Sequence, residues 1–287
     1  VNRLADPLGC IDQGDVKVVA AMDSFEEVAR RAVAEAAQRL RATWRGQRKI
    51  EYKGAIDLVT ETDREIEALI VGKLRGAFPD HLIVAEEAVS SGSEKARPRG
   101  DQYAWYLDPL DGTTNFAHAH PQFAVSLALA RGSRLELGIV VDPIRDETFF
   151  ARRGAGAQLN GERIAVSHTR RLEHSLLASG FPYDRRERAD FYLAFFKAFM
   201  LRSHGIRRAG AAALDLCYLA CGRFDGFWEW KLQPWDMAAG VLIIREAGGA
   251  VTDFAARDFD LYGQQILASN GNIHAEMVEV LGEVLKC

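Results

Sequence analysis

Residues 105–116 read "WYLDPLDGTTNF", an aromatic and apolar run that stops on two aspartates three apart, with Pro109 between them and Gly112, Thr113 and Thr114 behind. Asp-Pro and Asp-Gly are ordinary turn dipeptides, so the segment taken alone is a loop. The same event recurs along the chain, however. "HLIVA" stops on Glu86 and Glu87, Asp236 follows "KLQPW", and Asp63 comes just after "LVTET". A carboxylate at the end of a buried strand is costly to desolvate unless something pairs with it. Neither "LIVAEEAVS" nor "WYLDPLDGTTNF" holds a lysine or arginine to do so. Acidic strand ends of this kind invite a bound cation.

The donors fix the class of cation. Carboxylates and a backbone carbonyl suit Mg²⁺, Mn²⁺ or Ca²⁺, whereas zinc and copper favour His or Cys. Pro109 bends the chain, so that Asp108, Asp111 and the Leu110 carbonyl can aim at one point. Such a cluster can hold two metals roughly 3.5–4 Å apart, a geometry used for in-line displacement at phosphorus. Gly112, Thr113 and Thr114 add backbone N–H groups at a turn or helix start, which is a phosphate cradle. Each acid also has a plainer reading: Asp236 as a helix N-cap, Asp111-Gly112 as a hairpin turn, Asp63 as a capping acid, Glu86-Glu87 as a solvated strand end. Their joint occurrence favours the cation.

The bulk numbers set limits. At 287 residues, with 48% hydrophobic and 26% charged residues, the chain is an ordinary globular protein with material for a large core. Its formal net charge of −4, with both signs interspersed, argues against a general nucleic-acid binder. The four cysteines are too scattered for a disulfide framework, and Cys217 and Cys221 share one helix face as buried free thiols. No apolar run approaches a membrane span, and a reducing cytoplasm is the expected compartment. Residues 1–21 lack a secretory pattern and a clear period. A first helix is expected from Ser24, as cap, to about Trp44, so the compact domain is expected over 22–287 behind a dispensable leader.

Beyond that helix the pattern predicts another between Thr60 or Thr62 and Pro79, strands at "HLIVA" and "YAWYL", and a polar loop at "AVSSGSEKARPRG". Strands follow from Phe123 to about Ile164, with an Asn-Gly hairpin at 160–161. Strands at "SLLAS", "HGIRR", "RFDGFWEW" and "QQILASN" then alternate with helices around 189–200, 211–221, 236–247 and 274–285. The blocks show no strict βαβ alternation and no glycine fingerprint for a dinucleotide. The fold class expected is α+β, sheets covered by helix pairs in layers.

"WYLDPLDGTTNF" and "WDMAAGVLIIREAGG" together resemble the two signature segments of the inositol monophosphatase family, and "DLVTETD" and "VAEEAVS" resemble its two upstream motifs in the same order. The resemblance runs from about Met22 to the C-terminus. It implies the αβαβα sandwich of the inositol monophosphatase and fructose-1,6-bisphosphatase type, usually as a homodimer. It implies Mg²⁺, two or three ions with Mn²⁺ as a substitute, held first by Glu86, Asp108 and the Leu110 carbonyl and second by Asp108, Asp111 and Asp236. Glu86 also borders a weaker third site. Asp63 and Thr113 match the residues that orient and deprotonate the attacking water, and the Gly112–Thr114 backbone matches the phosphate cradle. Glu229 matches a position that binds substrate hydroxyls, and Lys53 sits at the family's lysine near the metal site. Two positions depart: Ala85 stands where glycine is common, and Ala211 where relatives often place serine or threonine, which takes a hydroxyl out of the alcohol pocket.

The function expected is Mg²⁺-dependent, Li⁺-sensitive hydrolysis of a small polyol phosphate, with myo-inositol 1-phosphate first. The same chemistry on fructose 1,6-bisphosphate, histidinol phosphate or a 3′-phosphoadenosine nucleotide is the alternative. The run Arg185-Arg186-Glu187-Arg188 could bind a second phosphate but reads more simply as a solvated face. A non-catalytic metal and phosphate-ester binding or interaction protein is the alternative of another class. A small phosphorylated polyol is the expected partner, with neither nucleic acid nor membrane.

Overall fold

The computed structural model describes residues 13–46, 50–52, 58–90 and 96–286. Helix α1 spans Gln13–Thr43 and buries Phe25, Ala29, Ala32, Val33, Ala36 and Leu40, the three-to-four spacing of one helix face. It opens eleven residues before Ser24, which therefore lies inside the helix rather than at its cap. No glycine or proline between Asp15 and Ser24 interrupts it. Strands β1 (Ile50–Tyr52) and β2 (Leu58–Thr60) form a small antiparallel pair that leads into α2 (Glu61–Ala77), which ends just before Pro79.

The main sheet has seven strands in chain order: β3 (Leu82–Ala85), β4 (Tyr103–Asp111), β5 (Ala124–Arg131), β6 (Arg134–Asp142), β7 (Glu147–Arg152), β8 (Gly156–Leu159) and β9 (Glu162–Ile164). Only the β3–β4 pair is parallel. The β8–β9 turn places Asn160 and Gly161 at φ of 51° and 87°, as a two-residue hairpin requires. Two short helices, α3 (Glu86–Ser90) and α4 (Thr113–Ala117), follow β3 and β4. The second sheet combines β10 (Leu176–Ser179), β11 (Gly205–Arg207), β12 (Gly226–Trp230), β13 (Ala250–Thr252) and β14 (Gln265–Ser269) in the order β11-β10-β12-β14-β13. Helices α5 (Ala189–Met200), α6 (Ala212–Ala220), α7 (Pro234–Glu246) and α8 (His274–Lys286) complete the chain.

Three buried clusters separate five layers. The first lies between α1 and α2 and the main sheet, the second holds α6 and α7 between the two sheets, and the third joins the second sheet to α5 and α8. This is an αβαβα sandwich. Alternation builds it: Trp105 and Leu107 of β4, with Val125, Leu127 and Leu129 of β5, face α1 and α2, while Ala104, Tyr106, Ala124, Ala128 and Ala130 face α7. The small residues on that face admit α7 closely. A Cβ on Gly138 of β6 would stand 2.9 Å from the Ala239 carbonyl oxygen.

Three local readings of the sequence change. Strand β4 continues through Asp108 to Asp111 instead of stopping at Asp108. Helix α7 opens at Pro234, a position where proline lacks only an N–H that would be unpaired anyway, not at Asp236. The first three residues of the expected loop "AVSSGSEKARPRG" belong to the helix α3.

Candidate active site

The turning point of the site is a bulge in β4. Asp108 pairs with Ser126 of β5 and Asp111 with Ala124, so three steps on one strand match two on the other. Pro109 falls in the extra step, where no ladder N–H is needed. Residues three apart on a regular strand face opposite sides; the added residue cancels that parity and turns Asp108 and Asp111 to the same side. Leu110 between them packs into the core under α1 and α2. Gly112 then adopts φ of +92°, and a Cβ there would stand 2.9 Å from the Gln122 carbonyl oxygen. The chain passes into α4, whose first intrahelical bond runs from Phe116 N–H to the Gly112 carbonyl at 3.0 Å.

Two further acids occupy matching local positions. Asp63 and Asp236 are each the third residue of a helix, and each carboxylate accepts the N–H of the residue before that helix. Thr60 N–H donates to Asp63 Oδ2 at 2.8 Å and Gln233 N–H to Asp236 Oδ2 at 2.7 Å, one half of a capping box. Thr60 Oγ1 also donates to Asp63. Asp63 Oδ1 lies 2.9 Å from Thr113 Oγ1, whose other neighbour is the Leu110 carbonyl at 3.0 Å. Asp63 is fully buried, behind Thr113.

One cavity of about 700 Å³ is lined by Glu86, Asp108, Leu110, Asp111, Gly112, Thr113, Thr114, Ala211, Glu229 and Asp236. Asp63 reaches it through Thr113, and Lys53 lies outside the described residues. Of the arginine run, Arg185 lines this cavity, while Arg186 and Arg188 are exposed. The acids repel one another. Burial, followed by Glu86, Asp111 and Asp236, pushes the Asp108 carboxyl well above the usual range. Burial and Glu86 do the same to Asp236. Asp111 is pushed up to about 6 by burial, held down by the N–H groups of Ala213, Ala212 and Leu214. Glu229 is pushed up to about 8 by burial, opposed by Arg208.

Among the described residues, no three His, Cys, Asp or Glu side chains stand close enough to grip an ion together as they lie. Three of the acids hold main-chain N–H groups: Leu110 donates to Asp108 at 2.9 Å, Ala213 to Asp111 at 2.8 Å, and Gln233 to Asp236. The donor set itself is all oxygen, and its members destabilise one another's charged forms across one cavity. That chemistry fits a hard divalent cation.

Other contributors carried no motif. Glu67, one turn after Asp63, accepts the Glu87 N–H at 2.8 Å and so fixes the start of α3, where Glu86 sits. Asn115 Nδ2 donates to the carbonyls of Gln122 at 2.7 Å and Ala209 at 2.9 Å, tying α4 to the segment before α6. Arg208 and Asp215 line the cavity. The available signal was an acid within an apolar helical stripe, which both Glu67 and Asp215 are.

Fold and site together define a layered α+β protein with an acidic, oxygen-lined cavity at the end of a bulged strand. The chain belongs to the inositol monophosphatase family, whose model matches residues 21–286. The Nus factor SuhB of Pseudomonas aeruginosa is 48% identical over 223 residues, which cover 77% of this chain and 81% of the relative. The inositol-1-monophosphatase of Synechocystis is 42% identical over 261 residues, covering 91% and 89%. The solved structure of inositol monophosphatase from Anabaena has a TM-score of 0.81 at 39% identity, covering 92% of this chain and 97% of that one. No helix among the described residues is long and apolar enough to cross a membrane.

Proposed function

We propose that this chain is a Mg²⁺-dependent, Li⁺-sensitive phosphomonoesterase that hydrolyses a small polyol phosphate, with myo-inositol 1-phosphate first, in a reducing cytoplasm and as a homodimer. The observation that carries the reading is the Asp63–Thr113 contact beside the bulged Asp108 and Asp111, within the cavity that also holds Glu86, Glu229 and Asp236. Bound through Glu86, Asp108, the Leu110 carbonyl, Asp111 and Asp236, Mg²⁺ would neutralise the phosphate and make water a stronger acid. The residues do the rest. Thr113 donates its proton to Asp63, which leaves its oxygen free to accept from the attacking water. Asp63, held by the Thr60 N–H and hydroxyl, takes up proton density from that pair. The first N–H groups of α4 orient the phosphate oxygens, and Glu229 accepts a hydroxyl of the leaving alcohol.

A panel of phosphate esters with Mg²⁺, read by released phosphate, tests this. Release from the polyol esters, abolished by chelator and reduced by Li⁺, is expected; full turnover by metal-free protein refutes it. The relatives that bear the name Nus factor favour a second reading, an interaction protein built on the same fold. A Thr113→Ala chain that has lost turnover yet still performs that role in a host lacking its own copy would establish it. Binding of the purified chain to RNA, against which its acidic net charge argues, is measured alongside.

A further inference from the structure

Asp215 is an acid for which the proposed reaction has no use. It lies in the first turn of α6, 2% exposed, and its flanking residues Leu214 and Leu216 are fully buried. Its Oδ1 is buried with no hydrogen-bond partner among the described residues. The residue nevertheless belongs to the cavity wall, four positions after Ala211, which lines the same wall. Its N–H donates to the carbonyl of Ala211, the residue before α6, at 3.1 Å. Buried polar groups in native proteins are nearly always satisfied, and those that are not call for a reason.

The surroundings supply one. Asp215 interacts electrostatically with Asp111, with Glu229 and with Arg208, so it stands between a carboxylate of the proposed cation site and the group proposed to receive the alcohol. Ala211 contributes no hydroxyl there. The cavity's alcohol end therefore carries two carboxyls as acceptors and one guanidinium that offsets both. Vicinal hydroxyls present donors to match a pair of acceptors, and an aryl or simple alkyl leaving group does not.

We infer that Asp215 is a specificity-determining residue, which accepts a hydrogen bond from a second hydroxyl of the leaving alcohol and so selects polyol esters over esters of alcohols with no further hydroxyl. This rests on the phosphomonoesterase reading. Sites built to bind a hydroxyl discriminate strongly against analogues that lack it.

The test compares wild type, Asp215→Leu and Asp215→Asn on myo-inositol 1-phosphate and on phenyl phosphate with Mg²⁺. Calorimetric binding of free myo-inositol, in the presence of Mg²⁺ and inorganic phosphate, is measured beside it. Asp215→Leu lowers kcat/KM on the inositol ester about 10–100-fold, mostly through KM, and weakens myo-inositol by a similar factor. Phenyl phosphate turnover stays within about threefold, because the interaction lost is one that this ester never makes. Asp215→Asn keeps shape and an acceptor oxygen and loses about 3–10-fold on the inositol ester alone; it decides the matter if the leucine variant does not fold. Equal losses on both esters, or none on either, overturn the assignment and leave Asp215 a packing residue. A wild type that cleaves neither ester overturns the phosphatase reading, and this assignment with it.

Discussion

Replacing Asp236 by asparagine sets a capping role against a ligand role, and the structure gives the two opposite signs. Asp236 Oδ2 accepts the Gln233 N–H at 2.7 Å. Asparagine keeps an acceptor but not its charge, so capping alone costs about 1 kcal/mol, the difference between a charge-assisted and a neutral hydrogen bond. A like charge removed at about 8 Å is worth on the order of 2 kcal/mol at an effective dielectric near 20, and Glu86 and Asp111 both act on Asp236. The second effect exceeds the first. In chelator at pH 7 the variant should melt at or slightly above wild type, by about 1 kcal/mol. The pH slope agrees in sign: burial raises the folded-state pKa, the native protein holds the proton longer than the unfolded chain, and stability falls as pH rises from the ordinary carboxylate range. The variant should lose part of that fall.

With Mg²⁺ the order reverses. Wild type gains about 2.7 kcal/mol at a hundred times the dissociation constant, and the variant, one anionic ligand short, gains less at each concentration. Turnover should fall by about 10²–10³-fold, the scale of one lost preorganised electrostatic contact, with partial recovery at high Mg²⁺. Melting and kcat are followed against Mg²⁺ for both proteins. Superimposable curves, with a small drop in melting temperature in chelator, would reduce Asp236 to a cap and remove the cation site from the argument.

Thr113→Ala should bind Mg²⁺ as wild type does, by calorimetry, while kcat falls about 10²–10⁴-fold, since only the orientation of the attacking water is lost; an unchanged kcat makes Thr113 a turn residue. Gly112→Ala adds a Cβ at φ +92°, 2.9 Å from one carbonyl oxygen and 3.2 Å from another, and should cost about 1–3 kcal/mol in chemical denaturation together with lost turnover. A wild-type midpoint would show that the turn relaxes freely. Removing residues 1–21 should leave turnover intact and lower the melting temperature by no more than about 3 °C, because Phe25 is the first buried side chain described in α1. Aggregation, or a change of oligomer size by light scattering, would assign those residues a structural part.

What was legible in the sequence was local. The alternation of β4 and β5, the Asn160-Gly161 turn and the stripes of α1 and α2 depend on neighbours within a few positions, and periodicity reports such neighbours directly. Acids at strand ends were legible because nothing nearby neutralised them. The misreadings came where a nearby residue had two meanings. Pro109 stops a regular strand but also fits a bulge, and only the pairing with β5 separates the two. Asp236 reads as an N-cap, yet Pro234 two positions earlier already satisfies the rules for starting a helix.

The unread part of the site is non-local, and Asp111 shows why that matters for function. Its carboxylate accepts N–H groups of Ala212 and Ala213, 101 and 102 residues further along the chain. These open α6, so the negative end of the β4 bulge is bound to the positive end of a helix that packs between the two sheets. The same first turn of α6 presents Asp215, and the segment before it is held by Asn115. A charge that raises the energy of the acidic cluster is thus offset by the helix to which the proposed alcohol contact of Asp215 belongs. Neither end is complete until the two sheets have closed on α6. Any substitution that loosens α6, such as a bulky residue at Gly240, where a Cβ would already stand 2.6 Å from Leu216, should therefore weaken metal and alcohol binding together. A change confined to Asp215 should separate them.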